Sequence, residues 1–238
     1  MTTSAAFDRG APHYDLMVHL NPGYHRELRR AATALAGRLT APAPRLLDIG
    51  CGSGASTRAL SDAVEPDASI QGLDASPGML AVARSKPWPP DVRFSHAISG
   101  ELDIQALGAG SHDGVMACYL FRNVPAEHRD HAISEVFDLL RPGGWLVVQE
   151  YSVDGNRAAR RVWDVVSHAV IIPLGVLIDR DPHLHTYLWR SVIDFDSVDR
   201  FADRLVQAGF TDVAHRTATG WQRGILHTFI ARRPEEQS

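Results

Sequence analysis

The sequence predicts an α/β protein whose strands alternate with helices and therefore lie mostly parallel in one sheet. Three observations predict it. Leu46, Leu47 and Ile49 form an apolar run suited to a strand covered on both faces, and the run passes directly into glycines at 50, 52 and 54. A second run, Ser69-Ile70-Gln71-Gly72-Leu73-Asp74, ends in an acid and is followed by Ser76 and Pro77, a cap and first-turn residue for a helix. Residues 127–140 place Ala132, Ile133, Val136, Phe137 and Leu140 on one helical face ahead of the strand Trp145-Leu146-Val147-Val148-Gln149-Glu150. With 238 residues, 45% of them hydrophobic, the chain can bury one substantial core more readily than two equal ones.

The glycines carry the first functional signal. Gly50, Gly52 and Gly54 lack the Cβ that would stop a loop from turning sharply or a ligand from lying against its backbone. They do not follow the spacing of a dinucleotide loop, and Asp48 just before them would repel pyrophosphate and attract a cationic amino group. Asp74, at the end of the second strand, is placed to accept both hydroxyls of a ribose. Leu47-Asp48-Ile49-Gly50-Cys51-Gly52-Ser53-Gly54 resembles the first motif of the class I S-adenosylmethionine (SAM) methyltransferases, and Asp74-Ala75-Ser76-Pro77-Gly78-Met79-Leu80 resembles the second. The resemblance implies a doubly wound, mostly parallel seven-stranded Rossmann-like methyltransferase sheet. It implies SAM as cofactor and S-adenosylhomocysteine as product. The methionine end of SAM would lie in the loop of Asp48, Gly50, Gly52 and Gly54, the ribose on Asp74 beside Ala75, and the adenine on Met79.

In chain order, Asn21-Pro22-Gly23 followed by Leu28, Ala31, Ala32 and Leu35 predicts a capped amphipathic helix, and Thr40-Ala41-Pro42-Ala43-Pro44 a stiff connector. Ahead of and within that helix, Phe7, Tyr14-Asp15 and His25-Arg26 resemble the entry segment of the ubiquinone and menaquinone biosynthesis C-methyltransferases, which folds over bound SAM. Tyr14 and His13 are thereby expected beside the cofactor. Residues 56–64 and 79–85 read as helices and Val92-Arg93-Phe94 as the third strand. Relatives place Asp or Asn after that strand to contact the adenine amino group. Here the run is Ala97-Ile98-Ser99-Gly100-Glu101, and the Ile98 side chain accepts no hydrogen bond, leaving backbone groups, Ser99 or stacking to recognise adenine.

Residues 113–118 read as the fourth strand and run into Tyr119-Leu120-Phe121-Arg122-Asn123-Val124. This hexapeptide resembles the Phe-Gly-Leu-Arg-Asn-Val signature of the quinone C-methyltransferases, implying that Arg122 and Asn123 face the reacting ring. Arg141-Pro142-Gly143-Gly144 is expected to stop the preceding helix and turn into the fifth strand. Residues 162–178 are largely apolar, but Asp164, His168 and Pro173 interrupt them and they are too few to span a bilayer. They read as an inserted helical lid whose apolar face predicts a greasy or aromatic acceptor. In the quinone enzymes the corresponding insertion covers the substrate and contributes to dimers, so a homodimer through the lid is the implied assembly. Asp196 is expected to cap a helix bearing Val198, Phe201, Ala202, Leu205 and Val206 and ended by Gly209, with residues 210–214 and 226–231 as closing antiparallel strands. Arg190 stands where the quinone enzymes commonly carry Glu, and Ile193-Asp194-Phe195 lacks their usual basic residue and proline, which leaves the acceptor open. The expected divisions are an arm and cofactor cover over 1–44, a SAM-binding core over 45–150, the lid over 151–194 and a C-terminal helix and strands over 195–238.

A formal net charge of −4, with basic residues only in short scattered clusters, gives no nucleic-acid surface. The N-terminus lacks the basic start and apolar core of a signal peptide, so a cytoplasmic location is expected. Two cysteines are too few for a disulfide framework, although neighbouring first and fourth strands would bring Cys51 and Cys118 side by side. His183 and His185 near Asp179 and Asp181 read as a solvated loop, and no metal is assigned. The reading is a SAM-dependent methyltransferase acting at carbon on a quinol-like or phenol-like aromatic small molecule, as in quinone biosynthesis. Ring carbon becomes nucleophilic as the hydroxyl proton leaves; Arg122 suits the resulting phenolate, Asn123 would orient it or a water, and His227, then His13, then His168 are the candidate bases. O- or N-methylation of a secondary metabolite, and SAM binding without methyl transfer as in a pericyclase-like enzyme, are the alternatives.

Overall fold

The computed structural model describes Asp8, Ala11, Asp15, Leu16, Val18, His19, Asn21 and residues 23–179 and 182–235, excluding the side chains of 178–179 and 182–185. Strands β1 (Arg45–Ile49), β2 (Ser69–Asp74), β3 (Val92–His96), β4 (His112–Cys118), β5 (Leu140–Tyr151), β6 (Thr211–Thr217) and β7 (Leu226–Arg232) form one seven-stranded sheet in the order β3-β2-β1-β4-β5-β7-β6. Strands β1 to β5 pair in parallel, and β7 runs antiparallel to both β5 and β6. The helices are α1 (Tyr24–Ala36), α2 (Ala55–Ser61), α3 (Pro77–Arg84), α4 (Ile104–Leu107), α5 (Arg129–Leu139), α6 (Arg157–Val166), α7 (Ile172–Asp179), α8 (Pro182–Ile193) and α9 (Val198–Gln207).

Alternation along the strands divides the core into two layers. Leu46, Ile70, Met116 and Val147 face Leu28, Ala31 and Leu35 of α1 and Leu60 of α2. Leu47, Val115, Leu146, Val148 and Phe229 face Ile133 and Val136 of α5 and Phe201 and Leu205 of α9. Because β1 lies between β2 and β4, the connections leave it on opposite sides, and a crevice opens at the carboxyl ends of β1 and β4.

Several boundaries differ from the sequence reading for local reasons. Helix α1 begins after Gly23, which is left-handed at φ 95° and supplies no side-chain cap; the Asn21 side chain bonds Tyr151 instead. Helix α3 opens as its sequence dictates, Ser76 accepting from Met79 N with Pro77 as first residue. Arg141-Pro142-Gly143-Gly144 lies within β5 as a bulge between the Leu140 and Trp145 pairings to β4. Ser197, not Asp196, caps α9. The buried Asp196 carboxylate instead meets Arg204 at 2.7 Å, Arg200 at 3.2 Å and Arg129 at 3.4 Å, the compensation a charge out of water requires.

The lid runs through α6, a π-turn at Ser167–Ile171 and α7, and returns through α8. Trp163 is buried, and Trp189 Nε1 donates to Asp164 Oδ1 at 2.9 Å, tying the two arms together. Val165 and Leu177 point outward, 65% and 79% exposed. Among the described residues, no helix is long and apolar enough to cross a membrane.

Candidate active site

A cleft of about 440 Å³ opens at the crevice between the tips of β1 and β4. Its floor is the glycine loop. Gly50 N and Cys51 N both donate to Leu73 O, at 2.7 and 3.0 Å, which pins the loop to the end of β2. Gly54 is left-handed at φ 90°, and a Cβ there would stand 2.8 Å from Trp88 Cζ2, whereas a Cβ on Gly52 would meet no protein atom within 4 Å. Gly50 and Gly52 line the cleft, and Gly54 sits behind it.

Asp48 has a different task from the one its position suggests. It is fully buried, and its Oδ2 accepts from Ser56 Oγ at 2.7 Å and Thr57 Oγ1 at 2.6 Å. It therefore staples the first turn of α2 beneath the loop and does not line the cleft. Burial drives its pKa up to about 6, against the two hydroxyl bonds, and its Oδ1 has no partner among the described residues.

Asp74 does line the cleft, with Ala75 and Met79 beside it. Its Oδ2 accepts from Gly52 N and its Oδ1 from Ser76 N, each at 2.8 Å, so one carboxylate ties the glycine loop to the start of α3. Burial raises its pKa, and those two amides oppose the rise. Ile98 and Ser99 form the adjoining wall, and Ser99 Oγ is buried there without a partner among the described residues. Glu135 of α5 holds this loop by accepting from Gly100 N at 2.6 Å and Leu102 N at 2.8 Å.

The opposite wall is the turn after β4. Tyr119 is left-handed at φ 60°, a strained backbone for an aromatic residue. It places the ring between Tyr24, at 5.2 Å, and Tyr151, at 5.1 Å, and Trp163 extends the stack at 5.3 Å. Gln149 Nε2 donates to the Tyr119 hydroxyl at 2.8 Å. Arg122 and Asn123 follow on a 3₁₀ turn and line the cleft. Arg122 Nη1 meets Glu150 Oε1 at 2.6 Å, and its backbone N–H donates to Glu150 Oε2 at 3.2 Å. The guanidinium also lies 5.5 and 5.6 Å from the Tyr119 and Tyr151 ring centres. From below, Arg129 Nε donates to the Phe121 and Val124 carbonyls and fixes the turn.

The arm reaches the cleft through two carboxylates. Asp8 Oδ1 accepts from Ser76 Oγ at 2.5 Å and Gly78 N at 2.9 Å, at the mouth of α3. Asp15 accepts from Ser53 Oγ at 2.6 Å and meets Lys86 Nζ at 2.6 Å. His13 and Tyr14 lie outside the described residues.

His227 is not brought to the cleft. It lies on β7, paired in register with Glu150 and Thr217. Burial lowers the imidazole pKa, with the backbone of Gly224 and Ser152 opposing. Cys51 and Cys118 are both free, buried and on the cleft wall, and burial pushes both thiols well above their ordinary pKa. Among the described residues no group of three or more His, Cys, Asp or Glu is arranged to hold a metal ion, and the side chains of His183 and His185 lie outside them.

Sequence reading missed Glu150, Tyr24, Asp8 and the use made of Asp48. The signal available for Glu150 was an acid at the end of an apolar strand, the same arrangement that marks Asp74.

Residues 2–231 match the ubiE/COQ5 methyltransferase family. The chain belongs to that family. Two ubiquinone/menaquinone biosynthesis C-methyltransferases, UbiE, are close relatives. The one from Syntrophotalea carbinolica is 34% identical over 92% of this chain and 90% of its own, and the one from Methylobacterium nodulans 32% identical over 88% and 83%. Among solved structures, the [4+2]-cyclase SpnF superposes with a TM-score of 0.68 at 16% identity over 98% of this chain and 95% of its own. A Haemonchus contortus phosphoethanolamine N-methyltransferase 2 in complex with S-adenosyl-L-methionine superposes at 0.62 and 17% identity, over 87% and 53%. These share the fold. Like the rest of the ubiE/COQ5 methyltransferase family, this chain is a SAM-dependent methyltransferase. The cleft fits that cofactor: a Cβ-free approach at Gly52, two carboxylate oxygens at Asp74, apolar Met79 and Ile98, and the unpartnered Ser99 Oγ.

Proposed function

We propose that the protein methylates a ring carbon of a quinol-like or phenol-like aromatic acceptor. The observation carrying this reading is the turn of Tyr119 to Asn123: a guanidinium and a carboxamide open onto a cleft whose wall on that side is otherwise Tyr24, Leu120, Val124 and Pro125. An apolar wall with two convergent polar groups suits a flat, greasy ring bearing hydroxyl groups. When bound, SAM supplies an electrophilic methyl group on a cationic sulfur.

The residues supply placement and electrostatics. Gly50 and Gly52 let the methionine portion lie against the backbone, and Asp74 accepts the ribose hydroxyls, exchanging its bond to Gly52 N for them. Met79 and Ile98 flank the adenine, and Ser99 Oγ takes a polar edge. Arg122 stabilises negative charge as the acceptor hydroxyl loses its proton, and Asn123 orients that oxygen or a water. The stacked tyrosines and the lid helices keep bulk water away, which strengthens both interactions.

Asp74→Ala should weaken SAM binding strongly, whereas Arg122→Ala should bind SAM nearly normally and turn over slowly. Calorimetry with SAM, a screen of SAM consumption against phenols and naphthoquinols, and assignment of the methylated atom by mass spectrometry and NMR test the reading together. A methyl group found on oxygen or nitrogen would reject carbon transfer, and equal loss of SAM affinity in both variants would reject the division of the cleft.

A further inference from the structure

Arg122 enters the cleft already engaged. Its Nη1 meets a fully buried carboxylate at 2.6 Å, and the same carboxylate accepts from its backbone N–H at 3.2 Å and from Tyr151 N at 3.0 Å. Glu150 thus grips main chain and side chain of one residue together and closes the end of β5 against the turn after β4. Its own side chain is 0% exposed and that of Arg122 only 8%, so water screens the pair weakly.

We propose that Glu150 is the positioning residue of this site and its counter-charge. It fixes the direction of the Arg122 guanidinium and offsets that cation, so that an acceptor hydroxyl ionises against a balanced pair and not against a bare positive charge. The inference rests on the reading of Arg122 as the group that meets the acceptor hydroxyl. The geometry distinguishes Glu150 from an ordinary strand-end acid in two ways. It binds backbone and guanidinium of the same residue, which sets direction as well as distance. It is also the one carboxylate in contact with that guanidinium among the described ion pairs. The other titratable groups packed around Arg122 are Tyr119 and Tyr151, whose phenols burial holds protonated, and the Cys118 thiol next to Tyr119, likewise held neutral. Tyr24 stacks on Tyr119, and Tyr187 of α8 reaches the neighbouring Asn123. Among the described residues the pair therefore supplies the charges in contact at this end of the cleft, and His227, paired in register with Glu150 on β7, is an imidazole that burial pushes toward its neutral form.

The pair makes a prediction that a purely structural acid does not. Removing the carboxylate charge should increase the positive field at the cleft wall and favour ionisation of a bound phenol. Four proteins are compared in complex with S-adenosylhomocysteine: wild type, Glu150→Gln, Glu150→Asp, and the double variant Arg122→Met/Glu150→Gln. The probe is 4-nitrophenol, whose visible absorbance reports its phenolate, titrated against pH while bound. Loss of the charge at 150 should lower the bound probe's pKa by about one unit against wild type, the size of shift a neighbouring charge commonly produces. Glu150→Asp, which keeps the charge, should leave the probe near its wild-type value. Calorimetry with S-adenosylhomocysteine reports whether each variant keeps its cleft. If Glu150→Gln alone does not fold, the double variant decides: it leaves no unpaired buried charge and, with the balanced pair removed as a unit, should keep the probe near its wild-type pKa. An unchanged probe pKa in Glu150→Gln, a probe pKa about one unit from wild type in the double variant, or no binding of the probe beside S-adenosylhomocysteine would overturn the inference. Failure of wild type to bind S-adenosylhomocysteine would instead overturn the cofactor reading itself.

Discussion

Tyr187 of α8 donates its hydroxyl hydrogen to Asn123 Oδ1 at 3.1 Å, while Asn123 Nδ2 donates to Tyr119 O at 2.9 Å. The carboxamide is thereby held from two directions, by its own turn and by the lid. Lid position and the orientation of Asn123 are one variable. Tyr187→Phe removes one hydrogen bond, worth about 1 kcal/mol. The variant should bind S-adenosylhomocysteine as wild type does by calorimetry while kcat/KM for the aromatic acceptor falls several-fold. An equal loss in cofactor affinity would place the effect elsewhere.

Asp48 makes stability depend on pH in a direction unusual for an acid. Its carboxyl titrates near 6 when folded, against 3.8 when unfolded. The folded state therefore holds the proton more tightly, and stability is greatest below the unfolded value and falls as pH rises through the window from about 4 to 6. The penalty at neutral pH is on the order of 3 kcal/mol for a group this buried. Asp48→Asn keeps an acceptor for Ser56 and Thr57 and carries no charge. Thermal melts without ligand should show the variant at least as stable as wild type at pH 7.5, with the advantage vanishing by pH 4. A constant difference across that range would refute the assignment.

Asp8 acts as an added cap for α3, since Ser76 Oγ and Gly78 N converge on its Oδ1. Asp8→Ala should lower stability by about 1 kcal/mol, the ordinary value of a lost cap, read from chemical denaturation. Asp8→Asn, which retains an oxygen acceptor, should recover most of it.

Two glycines of one loop should fail in different ways. Gly54→Ala forces a Cβ to within 2.8 Å of the Trp88 ring, itself held by a bond from Nε1 to Ala83 O at 2.7 Å. It should cost about 1–3 kcal/mol of stability by overpacking. Gly52→Ala, at φ 54° with open cleft before it, meets no protein atom and should lose cofactor affinity out of proportion to stability. Melting temperature and calorimetric affinity measured on both variants separate the two effects.

The parts of the site legible in the sequence are those whose chemistry is local. Strand, glycine loop and helix start follow one another without a gap at Arg45 to Ala55, and Ser76 with Pro77 announces α3 by the same short-range rules. The sheet followed from repeated strand and helix alternation, with order and antiparallel closure supplied by family likeness. What stayed hidden depends on contacts far apart in the chain. Glu150 reaches Arg122 across 28 residues, and Asp8 reaches Gly78 across 70. Asp48 was misread because Ser56 and Thr57, a turn later, take up its oxygen. A matching motif likewise did not say whether His227, on the strand beside β5, would line the cleft, and it does not. Asp196 and Ser197 exchanged tasks because three arginines from α5 and α9 converge on the first.

The π-turn at Ser167–Ile171 changes the phase of the long lid rod, since Ile172 N–H reaches back to Ser167 O, five residues away. One extra residue in the winding means that Val165 and Leu177 emerge about 20° apart around the axis, where unbroken α-helical winding would separate them by about 120°. Deleting a single residue in this stretch would take out the extra one, restore plain α-helical winding, and leave Leu177 and every later side chain on about the same bearing relative to Val165.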